Sequence, residues 1–163
     1  MRRSDREITD HAEIMAVIKK CDTCRLAFND GQTGYPYILP LNFGFEEDAE
    51  GHVKLYFYGA SAGYKYEVMC RDPRVTFEMD CNHRLVSNEE KGYCTMEYQS
   101  VIGHGRIAIL QDRDAKMKAL TILTDNYHLQ HFAFNPAAVD RTTVMVVQVE
   151  GMTAKQRRVG VAE

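Results

Sequence analysis

The sequence predicts an α+β protein, mainly β, built on an antiparallel sheet that curls into a barrel with flanking helices. Three observations carry this. Six short stretches rich in aliphatic and aromatic residues are separated by turn chemistry or short helical segments. Where the connections are short turns they leave no room for a parallel crossover, which favours hairpins over βαβ units. Helical periodicity interrupts the strands in only three places.

Taken in order, Asp10 and Glu13 have capping-box spacing. Ile14, Val17, Ile18 and Cys21 then recur at i, i+3, i+4 and i+7, which predicts a helix over 11–20. CRLAFN (24–29) reads as a strand, closed by a turn at Asp30-Gly31. PYILPLNFGFE (36–46) is the second strand, and its two prolines place it at an edge or make it irregular. A polar turn from Asp48 to Gly51 leads to HVKLYFYG (52–59). A short helix is expected over 63–70, stopped by Asp72-Pro73. RVTFEMD (74–80) is a strand, and the polar stretch 81–97 reads as a long excursion with an exposed tip. A long strand (98–110), a helix over 113–127 with Met117, Leu120 and Leu123 inward, and a last strand (142–150) complete the order.

The 163 residues are read as one domain, and at this length a chain builds its own core without staples. A net charge of −3 excludes a global positive field for nucleic acid or an anionic membrane, so any anion site must be local. Basic residues gather near the ends, as Arg2, Arg3 and Arg6 and as Lys155, Arg157 and Arg158, either as solvated tails or as arginines reaching a phosphate. No apolar run is long enough for a membrane span or a secretory leader. Five cysteines (21, 24, 70, 81, 94) fit free thiols in a reducing cytoplasm better than a disulfide framework.

Two stretches could carry chemistry. Gly59-Ala60-Ser61-Ala62-Gly63 ends a strand and leads into a short helix near Lys65. Small residues let backbone N–H groups approach a phosphate, a helix N-terminus adds partial positive charge, and Lys65 adds a full one. The same pattern also serves as a plain connection, and it is neither a Walker A loop nor GxGxxG. In Ile38-Leu39-Pro40-Leu41-Asn42-Phe43 a proline interrupts an apolar strand. Such an edge either presents backbone groups and aliphatic cover to a planar heterocycle or is simply a core strand with a proline.

The stretches MRRSDREI (1–8), CDTCRLAF (21–28), PYILPLNFGF (36–45), LYFYGASAGYKYE (55–67), DPRVTFEMD (72–80) and YQSVIGHGRIAIL (98–110), in this order, resemble the pyridoxamine-phosphate-oxidase-like split β-barrel superfamily. Within it they are most similar to the nitroimidazole-resistance proteins. The resemblance implies a six-stranded split barrel and a homodimer with a flavin at the subunit interface. It implies that Leu39, Pro40, Leu41 and Asn42 line the flavin ring and that Gly59, Ala60, Gly63 and Lys65 hold the phosphate. Tyr98, Ser100 and Val101 would contribute from the partner chain. Relatives commonly carry His where this chain has Tyr58. A phenol titrates near pH 10, about 3.5 units above imidazole, and does not shuttle protons near neutrality. Tyr58 is therefore expected to border the acceptor pocket, and no residue is assigned as catalytic.

Other polar residues have blander readings. Cys21-x2-Cys24 with Cys81-x-His83 could form a zinc set, but the first pair spans a helix end and a strand start and no second CxxC exists, so no metal is expected. His128 and His131 lack an HExxH helix, and Ser61 and Ser100 lack a nucleophile elbow. Glu78 and Asp80 share a strand face, as an acid pair or capped by nearby arginines.

The resemblance implies an FMN-dependent oxidoreductase, with FAD as the alternative cofactor. It would pass electrons from NAD(P)H to a small acceptor such as a nitroaromatic, without nucleic-acid or membrane partners. The competing readings are a non-catalytic flavin store or sensor, a haem-binding protein, and pyridoxamine-phosphate chemistry.

Overall fold

The computed structural model describes residues 3–128 and 132–159. Arg2 and His131, singled out above, lie outside the described residues. Helix α1 (His11–Lys20) starts where the sequence placed it: the Asp10 carboxylate accepts a hydrogen bond from the Glu13 N–H at 2.8 Å. Strand β2 (Cys24–Asn29) also has the expected bounds. The 36–46 stretch splits at Asn42-Phe43 into β3 (Pro36–Leu41) and β4 (Gly44–Glu47). After β5 (Val53–Gly59) and helix α2 (Tyr64–Arg71) come two long strands, β6 (Arg74–Asn88) and β7 (Tyr93–Ile109). Helix α3 (Arg113–Asp125), a short α4 (Pro136–Arg141) and β8 (Thr143–Arg157) follow. A two-residue β1 (Glu7–Ile8) pairs with β8 near the end of the described chain.

The eight strands form one antiparallel sheet in the order β3-β2-β6-β7-β8-β5-β4, with β1 added against β8. The two strands beyond the six expected are β1 and the one created by splitting 36–46. The sheet is not closed, since β3 and β4 are its ends and do not pair. Yet only Asn42 and Phe43 separate them in the chain. Three Cα steps of about 3.8 Å hold Leu41 and Gly44 within about 11 Å. The sheet must therefore curl until its two edges approach.

The inner face holds the main core, where Leu26, Phe57, Phe77, Met79 and Val101 are fully buried. Ile14, Val17 and Ile18 of α1 and Val68 and Met69 of α2 pack into it. A second, smaller cluster joins Tyr56, Val144 and Val146 to Ala119 and Leu120 of α3 and Val139 of α4. Strands β5 and β8 are thus covered on both faces, which explains why TVMVV reads as a continuous apolar run rather than an alternating one.

Two expectations are corrected. The excursion at 81–97 keeps its exposed tip but is built of strand: β6 and β7 run on as a two-stranded ribbon paired from Arg84↔Glu97 to Asn88↔Tyr93, past a bulge at Cys81–Arg84 where Asn82 takes φ 57°. Most side chains on both faces of the ribbon meet solvent, so no apolar period marks its strands. Lys155 and Arg157 are not on a tail either, because β8 continues to Arg157 under pairing from β1 and β7.

Candidate functional site

Helix α2 is stopped at its start by Gly63, whose φ of 123° is closed to ordinary side chains, and no side chain caps the first turn. Ala60, Ser61, Ala62 and Gly63 are all exposed. The Tyr66 hydroxyl donates to the Ala60 carbonyl and pins the loop to the first turn. Lys65 folds back over the strand end: its Nζ occupies the space that a Cβ on residue 59 would fill, and lies 5.2 Å from the Tyr66 ring centroid. Gly59 is therefore required for this lysine pose. The result is an exposed cradle of small residues at an uncapped helix start with an ammonium beside it, the chemistry that a phosphate monoester needs.

Strand β3 forms the other wall. It bonds only to β2, so its second edge is free. Pro36 and Pro40 share one parity, and facing that free edge neither interrupts the ladder. Side chains alternate: Tyr37, Leu39 and Leu41 pack on the main core, whereas Pro36, Ile38 and Pro40 are exposed. Of the four residues assigned to a ring, Pro40 alone presents its side chain outward on the strand. The Asn42 amide donates to the Asp22 carbonyl at 2.9 Å.

The Asn42-Phe43 crossover is clamped from α3's end. The Tyr127 hydroxyl accepts from the Phe43 N–H at 3.0 Å and donates to the Asp22 carbonyl at 2.9 Å. The register Gly44↔Tyr56 puts this crossover level with the Phe57–Tyr58 end of β5, where the small-residue loop begins. Tyr64 of α2 meets Tyr37 of β3 edge-on, with centroids 5.3 Å apart. The residue that follows loop 59–63, Tyr64, is thus seated against β3. Tyr58, at the end of β5, is 47 % exposed.

Tyr98, Ser100 and Val101 stand elsewhere in the chain. They lie on β7, separated from β5 by β8 and from β3 by β2 and β6. Val101 is a core residue, Ser100 is buried, and Tyr98 lies 5.6 Å from the Lys155 ammonium.

Residues 10–156 match the family model for pyridoxamine 5'-phosphate oxidase. The chain belongs to the pyridoxamine 5'-phosphate oxidase family. Among solved structures, it is similar to a candidate 5-nitroimidazole antibiotic resistance protein from Bacteroides thetaiotaomicron, at 29% identity over 92% of this chain and 86% of that one, TM-score 0.80. The fold also matches a flavocytochrome from Azotobacter vinelandii at 17% identity, 98% and 72% coverage and TM-score 0.79. An FAD-binding protein from Mesorhizobium loti shares it at 22% identity, 94% and 98% coverage and TM-score 0.65. No curated protein matches the sequence.

Within this family frame the other polar clusters are accounted for by local bonding. Glu78 and Asp80 are capped by one Arg25 guanidinium, at 3.0 and 2.7 Å. His83 pairs with Asp80 at 3.0 Å and does not join Cys21, Cys24 and Cys81 in a ligand set. All five cysteines are free, and burial pushes the Cys21 and Cys24 thiols up, away from reactive thiolate. Among the described residues, the single trio with metal-ligand spacing is Asp48, Glu50 and His52, on an exposed turn that Asp48 itself caps. No helix among the described residues is long and apolar enough to cross a membrane.

Sequence reasoning missed Asp30, the one charged residue that is buried among those described. In sequence it is only half of the Asp30-Gly31 turn. Its partner Tyr64 is 34 positions away, and no local signal joins them.

Proposed function

We propose that this chain binds a flavin, FMN in preference to FAD, and acts as an oxidoreductase that moves electrons from NAD(P)H to a small acceptor such as a nitroaromatic. The observation that carries the reading is Lys65, folded over Gly59 beside the exposed, uncapped start of α2. Gly59, Ala60, Gly63 and Lys65 would hold the phosphate. The free edge of β3 would meet the ring through backbone groups of Leu39, Leu41 and Asn42 and through the outward face of Pro40. A bound flavin would supply two-electron exchange between donor and acceptor.

The chain's own part is to bind, orient and exclude water. Tyr58 borders the acceptor pocket and offers one hydrogen bond or a stacking face to the acceptor. Support for a homodimer comes from the outer face of β2, β6 and β7, which no helix covers among the described residues and where Ile102 is 46 % exposed. A second copy would bring Tyr98, Ser100 and the Val101 backbone to the ring and complete a split-barrel pair. A flavin store without turnover is the second reading, favoured by Tyr58 in the slot where relatives carry an imidazole. The five described histidines are all exposed, which leaves the haem reading without a buried axial histidine among the described residues.

The purified protein is expected to be yellow and to release FMN on denaturation. A colourless protein that rejects added flavin removes the proposal. Lys65→Ala is expected to weaken FMN binding about 10- to 100-fold, the range of a hydrogen bond to a charged group, and unchanged affinity in a fluorescence titration removes the phosphate assignment. Bleaching of the yellow band by NADH or NADPH under anaerobic mixing separates the reductase from the store.

A further inference from the structure

Asp30 is only 3 % exposed. A turn aspartate ordinarily needs one oxygen for the turn and sits at the surface. Asp30 does close its turn, accepting from the Gln32 N–H at 3.1 Å and from the Thr33 hydroxyl at 2.8 Å. It also takes the Tyr64 hydroxyl, which lies 2.8 Å from each carboxylate oxygen, and the Arg71 guanidinium stands 3.8 Å away. Burial works against its charge, but the bonds from Thr33 and Tyr64, the Gln32 N–H and the charge of Arg71 outweigh it and hold the carboxyl below its ordinary value. Turn formation alone does not account for this concentration of donors.

Tyr64 is the first residue of α2, set between Gly63 and Lys65. Its ring is held on two sides, edge-on to Tyr37 of β3 and 5.6 Å from the Arg71 guanidinium carbon. Its hydroxyl is held by Asp30. No side chain caps the helix start, and the Tyr66 hydroxyl ties its first turn back to the Ala60 carbonyl. Tyr64 is thus the residue of this turn that couples Lys65 to β3, while Val68 and Met69 seat the rest of the helix in the core.

We propose that Asp30 and Tyr64 are a positioning pair that locks the phosphate loop to the ring-facing strand, so that their hydrogen bond sets the phosphate-dependent part of flavin affinity. The proposal rests on the phosphate-loop reading above. Neither side chain touches the ligand. Fixing Lys65 in advance removes an ordering cost from binding, and the ring contacts on β3 do not depend on it.

Riboflavin, which has the ring without the phosphate, separates the two contributions. FMN and riboflavin are titrated against the full chain and against Tyr64→Phe, which keeps the ring packing, with Thr33→Val as the control that loosens the turn but spares the Tyr64 bond. Tyr64→Phe is expected to weaken FMN about tenfold, the effect of one charge-assisted bond, and to leave riboflavin within about twofold. Thr33→Val is expected to keep the wild-type ratio of the two affinities. An unchanged FMN-to-riboflavin ratio in Tyr64→Phe overturns the pairing. Equal loss of both ligands, or the same loss in Thr33→Val, assigns the residues to general stability and also overturns it. If the wild-type protein binds FMN no better than riboflavin, the phosphate-loop reading itself fails and the proposal falls with it.

Discussion

Strands β3 and β5 are both apolar in sequence, and both border the proposed site, but they are held in opposite ways. β5 is paired on both edges and covered on both faces, with Leu55, Tyr56 and Phe57 all buried. β3 has one neighbour and one covered face, and Ile38 is 58 % exposed. One wall is core and the other is surface. The proposed site would gain from this asymmetry, since the rigid wall fixes loop 59–63 at its end while the open wall keeps backbone groups and an apolar face available.

The contrast can be broken from either side. Phe57→Ala removes a side chain with no solvent exposure and is expected to cost about 3–5 kcal/mol in chemical denaturation. A loss below about 1 kcal/mol would mean that β5 is not the rigid wall. Tyr127→Phe removes both hydroxyl bonds at the crossover between the walls and is expected to cost about 1 kcal/mol, with amide exchange at Phe43 accelerated. Unchanged exchange would show that the crossover is held by packing alone.

Acid tests the carboxylates beside each wall. Burial opposes the charge of Glu46 beside β5, but Lys118 and Tyr56 outweigh it and lower its pKa, as the donors around Asp30 do at β3. A folded-state pKa below the unfolded one gives stability that is complete above the unfolded value and fades as pH falls. Melting temperature should therefore hold through neutrality and drop as pH passes below 4.5 and then 3.8, the ordinary values of Glu46 and Asp30. A flat profile there would deny both contacts a role in stability. The smallest effect is expected at Ile38→Ala, within about 0.5 kcal/mol in the free chain, and a larger loss at higher protein concentration would reveal a second copy seated on that face.

How much of this was legible depended on whether a segment faces a core. The first helix came through its cap and its Ile14-Val17-Ile18 stripe, and β2 through its apolar run closed by the Asp30-Gly31 turn. The strands of the ribbon from Arg84 to Glu97 are not legible because their ladder is made by the backbone, and side chains without a core to face carry no period. Helix α4 had a local signal in Asn135-Pro136, where the asparagine caps and the proline opens the first turn, but its six residues are too few for periodicity. At the candidate site the cradle and Lys65 were visible because small residues and a lysine are local facts. Which faces Leu39 and Pro40 present depends on which side of β3 is covered. The Asp30–Tyr64 contact is a product of tertiary folding and leaves no trace in either segment.

The two-residue crossover at Asn42-Phe43 makes chain length a measuring device. It spans the gap between the edges of an open sheet, so the width of that gap is governed by a residue count rather than by the identity of any side chain. One inserted residue there would add up to about 3.5 Å of reach without touching a single contact in the cradle. Variation at this point is a route by which one scaffold could be refitted for a bulkier guest while its anchor stays as it is.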